Sequence, residues 1–126
     1  MAAPTAGRRL GEDLVVETHR DGATLVVSVR GDVDIATAPL LRAVLDGLHT
    51  ARPGRVEVDL SLVSYLDSSG LTTLVTARDR LAAEGVLFVL RSPSRVATTA
   101  LLAAGLDRAF ARSGEPEPAG AGRTPS

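Results

Sequence analysis

The chain has 126 residues, one domain's worth with tails by the usual length prior. Hydrophobic residues at 44% and charged residues at 23% are the balance of a soluble globular protein, and no apolar run approaches the roughly 18 residues of a membrane span. All 14 basic residues are Arg and there is no Cys, which excludes Schiff-base and P-loop lysines, thiol nucleophiles, disulfides and cysteine-zinc sites; a net charge of −1 without charge blocks offers no field for nucleic acid or an anionic membrane.

Residues 1–12 are small and polar and read as a mobile N-terminal segment, residues 13–112 as the folded domain, and residues 113–126, rich in Gly, Pro and Glu, as a disordered C-terminal tail. The Arg8-Arg9 pair is not an export signal, because Gly11, Glu12 and Asp13 stand where an apolar stretch should begin. Lack of Cys fits a reducing compartment, so a cytoplasmic location is expected. Leu14 to His19 and Thr24 to Arg30 are short apolar runs around Asp21-Gly22, a step that supplies the positive φ of a tight hairpin.

After Gly31 the period changes: Leu41, Val44, Leu45 and Leu48 recur on one helix face, with Thr37 as the N-cap and Pro53-Gly54 beyond the end. Val56, Val58 and Leu60 alternate with Arg55, Glu57 and Asp59, which predicts a strand with one wet face, ending near Leu60. Leu71, Leu74, Val75, Leu81 and Ala82 mark a second helix stopped by Gly85, and Val86 to Leu90 a buried strand. A third helix runs from about Ser94 to Ala104, capped by Ser94. Helical crossovers between strands imply parallel pairing, so the fold class is α/β: a mixed β-sheet with mainly parallel β-α crossovers after an N-terminal hairpin.

The segment after Leu60 carries the chemistry. Asp67, Ser68 and Ser69 are all strong N-cap residues, and taken alone they read as a doubled cap on a helix beginning with Gly70 and Leu71. A good cap needs one such residue, and Gly in a first turn costs roughly 0.5–1 kcal/mol relative to Ala unless close backbone approach is wanted. A nucleophile elbow at Ser68 would need Gly at position 66, where Leu66 stands. His19, ending a strand at the hairpin, and His49, near the last turn of the first helix, complete no triad and are too few for a metal site. Asp67 would repel a phosphate and no Lys reaches one, so the reading is not an enzyme, with no catalytic residues, cofactor or metal.

Asp67-Ser68-Ser69-Gly70-Leu71 after an apolar strand resembles the signature of the STAS domain, and closely that of bacterial anti-sigma factor antagonists. The resemblance runs from about Leu14 to Ala111 and includes Gly31-Asp32-Val33-Asp34 with Thr37, similar to that family's acidic turn between its second strand and first helix. It implies a single STAS-like domain with a β-α superhelical arrangement. It also implies a partner switch, in which the unphosphorylated protein binds an anti-sigma factor with serine kinase activity and releases a sigma factor. Phosphorylation at Ser68 then ends binding, and a serine phosphatase resets the switch.

The same resemblance makes Asp32, Asp34, Thr37, Asp67, Ser68, Ser69, Gly70 and Leu71 the expected partner-binding set, with Ser69 the competing acceptor. Without the family, Asp32 reads as a turn residue and Asp34 as an acid preceding a helix. Thr72 faces away from the apolar stripe and is available to a partner. The rival expectation is a constitutive STAS binding module, a signalling scaffold or lipid-transport ATPase subunit, without phosphoregulation. The antagonist reading involves no direct contact with nucleic acid or membrane.

Overall fold

The computed structural model describes residues 8–10 and 13–112. In chain order the elements are β1 (Arg8–Leu10), β2 (Leu14–Asp21), β3 (Thr24–Val33), α1 (Ala38–Asp46), a 3₁₀ turn (Leu48–Ala51), β4 (Arg55–Leu66), α2 (Ser68–Ala83), β5 (Leu87–Arg91), α3 (Arg95–Ala103) and β6 (Ala111–Arg112). The strands lie side by side in sequence order. The first two pairings are antiparallel and the last three parallel. Each of the three parallel steps crosses over through one helix and advances in one direction, so crossovers of a single hand stack all three helices on one face. The expected α/β class and mixed sheet are therefore observed.

Apolar residues of the helices (Leu41, Leu45, Leu71, Leu74, Leu81, Ala97, Leu101) join Leu14, Val16, Val27, Val29, Val56, Val58, Leu60 and Leu90 in one core cluster. On the uncovered face of the sheet, Glu57 accepts from Arg55 at 2.7 Å and from Arg91 at 3.4 Å. Phe110 sits 6.0 Å from Phe88 by ring centroid and beneath the Arg78 guanidinium, which also donates to the Ala109 carbonyl at 2.6 Å. That contact ties the segment before β6 to α2.

Several boundaries differ from the sequence reading. The first hairpin pairs Asp21 with Thr24, so its two loop residues are Gly22 and Ala23, and Gly22 alone takes a positive φ, 64°. Positive φ at the first loop position is what a type II′ turn requires. His19 is consequently inside β2, opposite Val26. β1 lies within the stretch read as a mobile segment; its three residues pair with Leu14 to Val16. The rest of segment 1–12 and the tail 113–126 lie outside the described residues.

The main correction concerns β4, which continues six residues past Leu60 to Leu66. The β3–β4 register slips twice: Ser28 pairs with Asp59 and Arg30 with Leu62, then Gly31 with Val63 and Asp32 with Tyr65. Each slip inserts one extra residue in β4 and flips its inward parity. The buried positions accordingly run Val56, Val58 and Leu60, then Val63, then Leu66. A strict period of two loses the strand at the first bulge. The same bulges turn Leu62 and Tyr65 outward, 62% and 48% exposed.

Candidate functional site

Because β3 and β4 are parallel, both end at the same edge of the sheet, and the starts of α1 and α2 meet there. The Asp67 amide donates to the Val33 carbonyl at 3.2 Å and fastens the two strand ends together. Asp67 is the N-cap of α2, its Oδ1 accepting from the amides of Ser69 at 2.9 Å and Gly70 at 3.3 Å. The cap is thus single, and α2 begins at Ser68, two residues before the predicted start. Ser68 is the first helical residue; its side chain is exposed and its hydroxyl makes no hydrogen bond among the described residues. Ser69 is half-buried, and its carbonyl accepts from Thr73 Oγ1 at 2.9 Å.

Gly70 answers why a glycine occupies the first turn. A Cβ there would lie 2.5 Å from Leu66 Cδ1, 2.7 Å from Val33 Cγ1 and 3.2 Å from Val33 Cβ. The helix backbone rests directly on the two strand ends, which is the close approach that glycine permits.

The acidic turn is built the other way round from its sequence reading. Asp32 is a strand residue of β3 paired with Tyr65, and its Oδ1 accepts from Ser64 Oγ at 2.8 Å. Asp34 is the turn residue: its Oδ1 accepts from the amides of Ala36 at 2.9 Å and Thr37 at 3.0 Å. Thr37 does not cap α1 with its side chain. Only 1% exposed, it instead donates from Oγ1 to the Asp32 carbonyl at 2.7 Å and accepts from the Asp34 amide at 2.9 Å. With a donor and acceptor already engaged on that hydroxyl, Thr37 is a strut between β3 and α1.

Of the eight predicted residues, Ser68 is exposed, and Asp32, Asp34, Asp67 and Ser69 lie part-way to the surface. Thr37, Gly70 and Leu71 are buried, so their part is to hold the corner rather than to meet a partner. A groove of about 330 Å³ opens beside Ser68, with Ile35, Pro39 and Arg42 on the α1 side and Ser68, Ser69 and Thr72 on the α2 side. Thr72 is exposed, as its place off the apolar stripe implied. Sequence reasoning missed Ile35, Arg42, Leu62 and Tyr65. Ile35 is 78% exposed, and an isoleucine in an otherwise polar turn was its available signal.

His49 lies in the 3₁₀ turn after α1, its Nδ1 2.9 Å from the Asp46 carbonyl, and it does not line the groove. No group of His, Cys, Asp and Glu suited to holding a metal ion occurs among the described residues. Among them no helix is long and apolar enough to cross a membrane.

A family profile described as "Mlab, STAS domain" matches residues 16–112. The anti-sigma-F factor antagonist RsfB of Mycobacterium tuberculosis is 25% identical over 99 residues, which covers 79% of this chain and 80% of RsfB. The crystal structure of an anti-sigma factor antagonist from Mycobacterium paratuberculosis superimposes with a TM-score of 0.74 at 25% identity, covering 86% of this chain and 92% of that one. Bacillus SpoIIAA in its phosphorylated form shares the fold with a TM-score of 0.61 at 19% identity, over 79% of this chain and 92% of its own.

Proposed function

This chain belongs to the STAS domain family, and we propose that it is an anti-sigma factor antagonist switched by phosphorylation of Ser68. The observation that carries the reading is the exposed Ser68 hydroxyl, unbonded among the described residues, at the first position of α2, beside a groove with an exposed isoleucine at its rim. The likeness to RsfB, an anti-sigma-F factor antagonist, supports the partner class. In this reading the partner is an anti-sigma factor that is also a serine kinase, and the protein itself is a binding protein rather than an enzyme. Ser68 Oγ bonds to the γ-phosphorus of ATP, ADP departs, and the hydroxyl proton passes to a base of the kinase. A serine phosphatase reverses the change, and the setting is cytoplasmic.

Ser68 is favoured over Ser69 because its side chain is the more exposed. The unmodified corner presents Ile35 and Thr72 to the partner at the groove, with Leu62 and Tyr65 at the same end of the outer sheet face. Asp34 and Asp67 fix the backbone of the two turns and Asp32 holds the Ser64 hydroxyl of β4, while Thr37, Gly70 and Leu71 support them from below.

Two variants and one map test the switch. Ser68→Asp abolishes binding to the partner anti-sigma factor, Ser68→Ala binds and resists inactivation, and phosphosite mass spectrometry of protein from its own host finds phosphate on Ser68 that changes between growth and stress. Equal binding by both variants together with a constantly unmodified Ser68 overturns the switch. The description of the matched profile, Mlab rather than antagonist, favours a second reading, a constitutive binding module acting as scaffold or lipid-transport ATPase subunit. Stable co-purification with an ATPase and no kinase would support it.

A further inference from the structure

We propose that Arg42 is the built-in counter-charge for a phosphoryl group on Ser68, an arginine–phosphoserine pair that closes the groove between α1 and α2. The inference deepens the reading above and rests on Ser68 being the residue modified. Arg42 is the one charged side chain in the groove lining, and it is exposed with no ion pair or hydrogen bond among the described residues. Other charges on these helices are engaged: Arg80 pairs with Asp46 at 2.5 Å and Arg78 with Asp79 at 2.8 Å. The two carboxylates flanking the corner, Asp34 and Asp67, direct their Oδ1 atoms into backbone amides, and neither lines the groove. Arg42 therefore faces hydroxyls on the opposite wall, and among the described residues no acid lines the groove beside it.

A phosphoserine brings about −1.5 to −2 charges and three acceptor oxygens, and guanidinium is the side chain whose planar fork matches them. Ser68 and Arg42 stand on opposite walls of one groove, so the pair would bridge α1 to α2 and occupy the space open to a partner in the unmodified protein. The phosphoryl group would then act in two ways, by its charge and by filling the groove.

The test uses the full chain with phosphoserine installed at position 68 during translation, so that no kinase is needed, and follows the phosphorus resonance by NMR through a pH titration. In the parent chain the second phosphate ionisation is expected roughly half a unit or more below its ordinary value near 6, because a cation at contact favours the dianion. Arg42→Gln raises it back by most of that shift, and Arg42→Lys retains part of the shift. Arg30→Gln, the same charge loss on the outer face of β3, leaves it in place. An unchanged titration in Arg42→Gln, or an equal change in Arg30→Gln, overturns the pair. Failure to find phosphate on Ser68 in the host sinks the switch while leaving this contact measurable, so the two failures are distinguishable.

Discussion

Replacing Gly70 by Ala adds one methyl group where the start of α2 lies on the ends of β3 and β4. The new Cβ would sit 2.5 Å from Leu66 Cδ1 and 2.7 Å from Val33 Cγ1. Leu66 Cδ1 is the tip of a flexible side chain and can turn aside. Val33 cannot: it is fully buried, β-branched, paired with Leu66 of β4 and bonded through its carbonyl to the Asp67 amide, and its Cβ is itself only 3.2 Å from the new atom. Overpacking of this kind costs about 1–3 kcal/mol, and the rigid neighbour places it in the upper half of that range. Helix propensity returns at most about 1 kcal/mol for Gly→Ala. The net loss is about 1–2 kcal/mol, read by urea denaturation, or roughly 5–15 °C in Tm for a domain of this size. Val33→Ala in the same chain makes room, so a double-mutant cycle should show the two changes offsetting each other by about 1 kcal/mol. A Gly70→Ala protein as stable as the parent would refute the wedge, and with it the close seating of the turn that carries Ser68 on the two strand ends.

Thr37→Val keeps the shape of a buried side chain but removes the hydroxyl that bridges the Asp32 carbonyl and the Asp34 amide. It should cost about 1–3 kcal/mol in the same unfolding assay, while Thr37→Ser should lose less than half of that. Ile35→Ser removes an exposed apolar side chain and should leave stability within about 0.5 kcal/mol. Calorimetric titration with the partner anti-sigma factor should nevertheless show at least a roughly tenfold weaker Kd, since exposed apolar anchors carry interface energy.

The element order and the core were legible because they follow from periodicity. Leu41 and Leu45 repeat at helical spacing and Val56 and Val58 at strand spacing, and all four are buried. The Ser94 cap was legible for a local reason, its Oγ accepting from the Ala97 amide at 3.1 Å. What stayed hidden depends on residues distant in sequence. The extension of β4 needs two bulges set by its pairing with β3, and a single strand's alternation cannot announce where a neighbour will slip. The exchange of roles between Asp32 and Asp34 has the same origin, since Asp32 belongs to β3 only because Tyr65 pairs with it. At the candidate site the motif pointed to Ser68, whose exposure at the start of α2 the structure describes, whereas nothing local says that Arg42 of α1 shares a groove with the start of α2.

The rigidity of this corner bears on how a modification there can signal. Asp67 caps α2, its amide holds the end of β3, and Gly70 presses the first turn onto Val33, so the backbone under Ser68 is fastened at three points. A phosphoryl group at such a position changes charge with little change of shape, and a helix N-terminus accepts added negative charge without unfolding. The change must then be read by the partner. At an effective dielectric near 20, a dianion about 5 Å from one partner carboxylate is repelled by roughly 6 kcal/mol before screening, comparable to the ~5.5 kcal/mol that swings a population from 1:99 to 99:1. If Arg42 neutralises part of that charge, repulsion weakens and occupation of the groove takes over some of the exclusion. Salt separates the contributions, because screening removes long-range repulsion and leaves a filled groove filled. Exclusion of the phosphorylated protein should therefore relax with ionic strength more steeply in Arg42→Gln than in the parent chain.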